Sequence, residues 1–287
     1  MNMRPILLCT DMDRTLIPNG LQAEYPPSRR RFTDFCSLSE ITLAYVTGRD
    51  IALLEEAIAE FNLPVPNYAI TDVGSKIYRN SDGRWSELAE WEAEIGNAWK
   101  KVSREEIVTN LSGIEGLKLQ ESSKQNTHKV SYYADLDFAS ADFYLNAAES
   151  ALRPLQIDSS LIWSVDETRH QGLLDVLPAN ATKLHAIEFL HALLGVHAER
   201  LIFAGDSGND LPVLTSPVPS VLVANATDEI KSQAERLAVE NGCREQLFVA
   251  KNDELNRGNY SAGILQGVGH YFPDSREILT EWSAFYE

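Results

Sequence analysis

Cysteine is scarce in this chain of 287 residues: Cys9, Cys36 and Cys243 stand far apart, odd in number and without a CxxC spacing. That pattern argues against a disulfide framework or a zinc site and predicts reduced thiols in a cytoplasmic protein. Long apolar runs are missing too. No stretch approaches the ~20 consecutive apolar residues that a bilayer span requires, so no membrane association is expected. The apolar N-terminal stretch lacks a small-residue cleavage site and runs directly into Asp11-Met12-Asp13, so it reads as a buried strand and not as a signal peptide. Internal repeats, low-complexity tracts and long linkers are also absent. Basic residues are outnumbered, 25 against 42 acidic, for a formal charge of −17. Such a surface repels phosphate backbones, and nucleic acid is not an expected partner. It repels a phosphate substrate as well, so any phosphate site must carry its own cation or local positive charge.

What remains is ordinary globular composition, 44% hydrophobic and 23% charged, with length for one large domain or two modest ones. Ile6-Leu7-Leu8-Cys9-Thr10 is a short apolar run ending in carboxylates, the pattern of a strand buried on both faces. A helix is predicted over 28–35, a strand over 41–46, and a helix from Ile51 to Phe61 with Asp50 as N-cap. Gly48 is read as permitting a tight turn between strand and helix. Strands follow at 68–71 and 76–78, and Asn80-Ser81-Asp82-Gly83 is a turn signal. This alternation predicts an α/β protein with a Rossmann-like parallel sheet covered by helices. The middle third differs. A Trp-rich helix over 87–101, strands at 117–120, 129–133, 161–165 and 173–177, and a helix over 139–152 predict an inserted α+β domain. After Pro178 the first pattern resumes, with helices over 181–194, 227–239 and 261–271, strands at 201–204 and 221–223, and Gly195 as a helix C-cap.

Four segments place reactive groups near strand ends, where open parallel sheets bind ligands. In Asp11-Met12-Asp13-Arg14-Thr15 one carboxylate can attack phosphorus while the other serves the leaving alcohol and then water; alone, it equally reads as a solvated acidic turn. Thr47-Gly48-Arg49 offers a hydroxyl and backbone N–H groups to a phosphate oxygen, or is simply a strand-to-helix turn. Lys183, early in a helix, either neutralises transferring charge or lies in solvent. Gly205-Asp206-Ser207-Gly208-Asn209-Asp210 suits Mg²⁺, which takes oxygen ligands and keeps several waters; its alternative is a turn without metal.

Taken together and in this order, the four segments resemble the haloacid dehalogenase superfamily of phosphatases, over nearly the whole chain. The branch it is most similar to is that of the sucrose-phosphate phosphatases and their sugar-phosphate relatives. The supporting stretches are 45–49, 71–78, Lys129-Val130-Ser131-Tyr132, 205–210 and Val223-Ala224-Asn225-Ala226. The resemblance implies Asp11 as nucleophile and metal ligand, and Asp13 as general acid and base that lends its carbonyl to the metal. It implies phosphate binding at Thr47, charge stabilisation by Lys183, and Mg²⁺ as cofactor on Asp206, with Asp210 supporting the metal's waters. Gly48, Arg49 and Asn209 fall at substrate-binding positions. Arg14 departs from the pattern, where Gly or Asn is commoner; it either adds positive charge near the mouth or points to solvent.

The expected organisation is a core of residues 1–81 and 180–287 with a cap of 82–179 that chooses the substrate. Lys129 is the leading sugar contact. Of His128, Tyr132, Trp163, Arg169 and His170, Trp163 reads better as core and His170 as surface. Sucrose 6-phosphate is the first substrate expected; mannosylfructose phosphate, glucosylglycerol phosphate and a mannosylglycerate precursor are not separated from it. A phosphohexomutase, a phospho-acceptor signalling domain and a silent sugar-phosphate sensor are competing classes. Receiver domains lack the second Asp and are far shorter, and a sensor would normally have lost a motif. A monomer, with a sugar-phosphate synthase as candidate partner, completes the expectation.

Overall fold

Burial on both faces makes the first apolar run strand β1 (Ile6–Thr10), with every side chain inside. The structure is a computed structural model that describes residues 3–166, 169–252, 257–276 and 278–279. Helix α1 (Ser28–Cys36) leads to β2 (Ile41–Val46), α2 (Ile51–Phe61) and β3 (Tyr68–Thr71). Asp50 caps α2 as predicted, its side chain accepting from the Leu53 N–H at 2.9 Å. The hairpin β4 (Lys76–Ser81) and β5 (Arg84–Glu87) follows, and its tip is the Asn80–Gly83 turn.

The second stretch of chain holds α3 (Ala89–Gly96), α4 (Arg104–Leu111), β6 (Leu117–Leu119) and β7 (Val130–Asp135). It continues with α5 (Ala141–Leu152), β8 (Ser159–Asp166) and β9 (Gln171–Pro178). Then come α6 (Lys183–Leu194), β10 (Leu201–Gly205), α7 (Leu211–Leu214), β11 (Ser220–Leu222), α8 (Asp228–Glu240), β12 (Leu247–Val249) and α9 (Ser261–Tyr271).

The chain divides into two units, one of Met1–Glu87 with Ala186–Glu287 and one of Leu88–His185. The first is built on an eight-stranded sheet in the order β12-β11-β10-β1-β2-β3-β4-β5. Six strands, β12 through β3 in that order, run parallel, and the β4–β5 hairpin closes the edge antiparallel. Its core gathers Leu8, Phe32, Phe35, Tyr45, Ile202, Ile264 and Phe272. The second unit has an antiparallel sheet, β6-β7-β9-β8, and a core of its own around Trp99, Ile107, Tyr132, Leu152 and Leu174.

Three differences from the expectation have local causes. The hairpin at 80–83 was expected to begin the cap, yet β4 and β5 are strands of the large sheet, so the change of unit falls after Glu87. The return falls after His185, inside α6, and not at 180. The long helix predicted from 87 breaks: Glu87 ends β5, α3 stops at Gly96, and a 3₁₀ turn over Asn97–Trp99 ends at Lys100 in the left-handed region. Trp91, Ile95 and Trp99 are buried, so the helical spacing was a true packing signal that a tighter turn also satisfies.

Candidate active site

Strand register assembles the site. Thr10 pairs with Ala204 on one side and with Tyr45 on the other. The Asp11 N–H donates to the Ala204 carbonyl at 2.9 Å, so Asp11 leaves β1 beside Gly205, one residue short of Asp206. The next turn is tight. The Met12 carbonyl accepts from the N–H groups of Thr15, Leu16 and Ile17, at 3.3, 3.0 and 2.8 Å. This curl returns Thr15 toward β10, where its hydroxyl donates to Asp206 Oδ1 at 3.2 Å.

Gly205 is where the sheet requires glycine. A Cβ there would lie 2.7 Å from both Cβ and Cγ of Asp210. The space goes to the Asp210 carboxylate, whose Oδ2 accepts from the N–H groups of Asp206 and Ser207 and from the Ser207 hydroxyl. Asp11, Asp206 and Asp210 are all buried, and one carboxylate oxygen of each lies within 4.8 Å of the others. Three such charges repel by on the order of 3 kcal/mol per pair at an effective dielectric of about 20. Buried carboxylates in this number are stable only when paired or ligating a cation. An all-oxygen donor set of this kind fits a hard divalent ion such as Mg²⁺.

Asp13 lies outside that cluster of carboxylates. Arg49 grips it in a bidentate pair, Nε to Oδ2 at 2.8 Å and Nη2 to Oδ1 at 2.7 Å, and Asn19 donates to Oδ1 at 2.8 Å. The Asp13 partnership raises the Arg49 pKa above its ordinary value. Thr47 is buried and its hydroxyl accepts from the Arg49 N–H at 3.1 Å. Gly48, read as permitting the turn, is not in the left-handed region, and a Cβ there would meet only Val73, at 3.8 Å. The left-handed positions are Asp72, Val73 and Gly74, next to Thr47, whose carbonyl accepts from the Val73 N–H at 3.2 Å. Asn209 is exposed and accepts from the Ser207 hydroxyl at 3.0 Å.

The first unit therefore brings Asp11, Thr15, Asp206 and Asp210 together, with Arg14 against Asp206, and Asp13 with Arg49. Lys129 and Lys183 are buried residues of the second unit. Within that unit, Tyr132 alternates inward with Val130 and Ala134 on β7 and sits in the core, where burial pushes its pKa up to about 12. Trp163 stacks on Tyr144 at 5.8 Å, in keeping with core. His128 meets Trp99 edge-on at 5.7 Å. His170 is exposed 3.7 Å from Asp137, and Arg169 is exposed 3.8 Å from Asp166. Sequence reasoning missed Asn19, whose side chain shares Asp13. It also missed the brace at Asn225: Nδ2 donates to the Arg14 carbonyl at 2.6 Å and Oδ1 accepts from the Tyr260 N–H at 2.8 Å. The Asn225-Ala226 pair pointed to the place but not to the contact.

The parallel α/β sheet collects buried carboxylates at the tips of two adjacent strands, β1 and β10, and this chain is a sugar-phosphate phosphatase of the haloacid dehalogenase superfamily. Residues 4–272 match the Sucrose-6F-phosphate phosphohydrolase family, and the chain belongs to it. It is 44% identical over 273 residues to a Nitrosococcus oceani protein described by its likeness to HAD hydrolases, covering 94% of this chain and 73% of that one. It is 28% identical over 282 residues to sucrose-phosphatase 1 of Nicotiana tabacum, covering 93% of this chain but 59% of the tobacco protein. It is 29% identical over 281 residues to the mannosylfructose-phosphate phosphatase of Agrobacterium fabrum, covering 94% and 98%. The fold is that of the Synechocystis sucrose-phosphatase solved with sucrose and phosphate, at a TM-score of 0.71 and 23% identity, covering 94% and 98%. Among the described residues no helix is long and apolar enough to cross a membrane.

Proposed function

We propose that this protein is a Mg²⁺-dependent phosphatase that hydrolyses sucrose 6-phosphate to sucrose and phosphate. The observation that carries the reading is the buried group Asp11, Asp206 and Asp210 with Asp13 two residues beyond the first. Asp11, Asp206 and Asp210 would hold the ion, with the Asp13 carbonyl as a further oxygen. When bound, Mg²⁺ would neutralise phosphate charge and lower the repulsion between substrate and nucleophile.

In this mechanism an Asp11 carboxylate oxygen attacks phosphorus in line. The P–O bond to the sugar breaks as Asp13 gives its proton to the departing sugar oxygen. The acyl phosphate on Asp11 is then opened by water, whose proton Asp13 takes up, so the acid is regenerated with each turnover. Asp13 donates only after its carboxyl leaves the bidentate pair with Arg49, and Arg49 is thereby released toward the phosphate. Thr47 and the Gly48 N–H take phosphate oxygens, Asn209 holds the phosphoryl group, and Lys183 stabilises charge. Lys129, with its unit, selects the sugar.

The whole-length likeness to a mannosylfructose-phosphate phosphatase favours a second substrate, a mannosylfructose phosphate. A phosphate-release screen over sucrose 6-phosphate, mannosylfructose phosphate, glucosylglycerol phosphate and hexose 6-phosphates tests the reading. The highest kcat/KM is expected for sucrose 6-phosphate, and a preference of tenfold or more for another substrate, an arbitrary threshold of about 1.4 kcal/mol, would displace it. EDTA is expected to stop turnover and added Mg²⁺ to restore it; full activity in EDTA would end the metal assignment.

A further inference from the structure

Arg14 occupies an unusual place. Its backbone lies in the left-handed region, φ 61°, which disfavours a long side chain. Both of its backbone polar groups are tied down. The N–H donates to Asn19 Oδ1 at 2.8 Å and to the Ile17 carbonyl at 3.1 Å, and the carbonyl accepts from Asn225 at 2.6 Å. The side chain is 44% exposed, but its Nε lies 3.4 Å from Oδ2 of the buried Asp206. That nitrogen is buried and makes no hydrogen bond, so the pair is electrostatic. Asp206 is therefore faced on one oxygen by the Thr15 hydroxyl and on the other by a guanidinium.

We propose that Arg14 is a resident counter-cation of the carboxylate cluster, which weakens Mg²⁺ binding in the absence of phosphate and strengthens phosphate binding in its presence. The inference rests on the Mg²⁺ reading above. Whatever other partners the three carboxylates keep, the guanidinium makes their surroundings one charge more positive, with the divalent ion bound or not. Without it the cluster attracts the ion more strongly and remains one charge more negative when loaded. A phosphate anion is repelled more by that second state than by the first. Arg14 thus acts with opposite sign on the two ligands, which loss of fold or loss of packing would not do.

The test is calorimetric titration of Mg²⁺ alone, and then of inorganic phosphate into the Mg²⁺-saturated protein, for wild type, Arg14→Gln, Arg14→Asn and Arg14→Lys. No turnover is involved. Gln and Asn remove the charge, Asn being also suited to the left-handed backbone, and Lys keeps it. Both neutral variants are expected to bind Mg²⁺ more tightly, by roughly threefold to fivefold because solvent screens a half-exposed charge, and to bind phosphate more weakly by a similar factor. Arg14→Lys is expected to stay near wild type in both. Mg²⁺ affinity unchanged or reduced in the folded neutral variants would overturn the role of Arg14. Absence of Mg²⁺ binding in wild type and variants alike would instead overturn the metal reading itself.

Discussion

Asp11, Asp206 and Asp210 share a buried space in which each raises the cost of charge on the others. Asp11→Asn removes one charge with little change of shape. On the nucleophile role proposed for Asp11, phosphate release is expected to fall by at least about 1,000-fold. The melting temperature of the metal-free protein is expected to rise, because one source of repulsion is gone. Both follow from phosphate assays and thermal melts in EDTA. Gly205→Ala acts by shape. Its Cβ would overlap the Asp210 side chain, so a cost of about 1–3 kcal/mol is expected, with Mg²⁺ affinity falling as Asp210 moves. Denaturant titration and calorimetry measure the two effects.

Helix α4 was not predicted, although its start was legible. Ser103 and Glu106 form a capping box, each side chain meeting the other's backbone N–H, at 3.3 and 2.9 Å. Ser103→Ala is expected to destabilise the second unit by about 1 kcal/mol, read by hydrogen exchange in residues 104–111. Strands β5 and β12 were also missed. Both are edge strands: β5 is mostly exposed and lacks the apolar run that identified β1, β2 and β10, whereas β12, Leu247-Phe248-Val249, is apolar but only three residues long. Parallel central strands are buried on both faces and so announce themselves; edge strands depend on a neighbour for their hydrogen bonds.

At the scale of the whole molecule, one buried cation ties distant segments of the first unit. Arg200 Nη1 donates to Asp274 at 2.9 Å, Nη2 to the Arg4 carbonyl at 2.6 Å and Nε to the Pro5 carbonyl at 3.3 Å; its guanidinium lies 4.5 Å over Phe272. Arg200→Met is expected to cost about 2–4 kcal/mol by leaving these acceptors unmatched. Burial disfavours charge on Asp274, but hydrogen bonds from Arg200 and the Arg4 N–H outweigh it, and its pKa is lowered. A depressed carboxylate stabilises above its unfolded pKa of about 3.9, and that contribution disappears as pH falls through the folded value. Wild type is therefore expected to melt above Asp274→Asn at pH 6, with the gap closing below about pH 4.

Motif order by itself pointed to the class of this protein, a sugar-phosphate phosphatase. That Asp11, Thr47 and Asp206 stand at strand ends was legible because an apolar strand stops where a polar side chain begins, and a strand end is a local property of sequence. Tertiary structure alone decided which partners those groups keep: Arg49 on Asp13, Thr15 and Arg14 on Asp206, Asn225 on the backbone of Arg14. These contacts join residues up to 211 positions apart. They depend on register between strands and on the curl of a turn, and such separations leave no periodic trace in a linear chain.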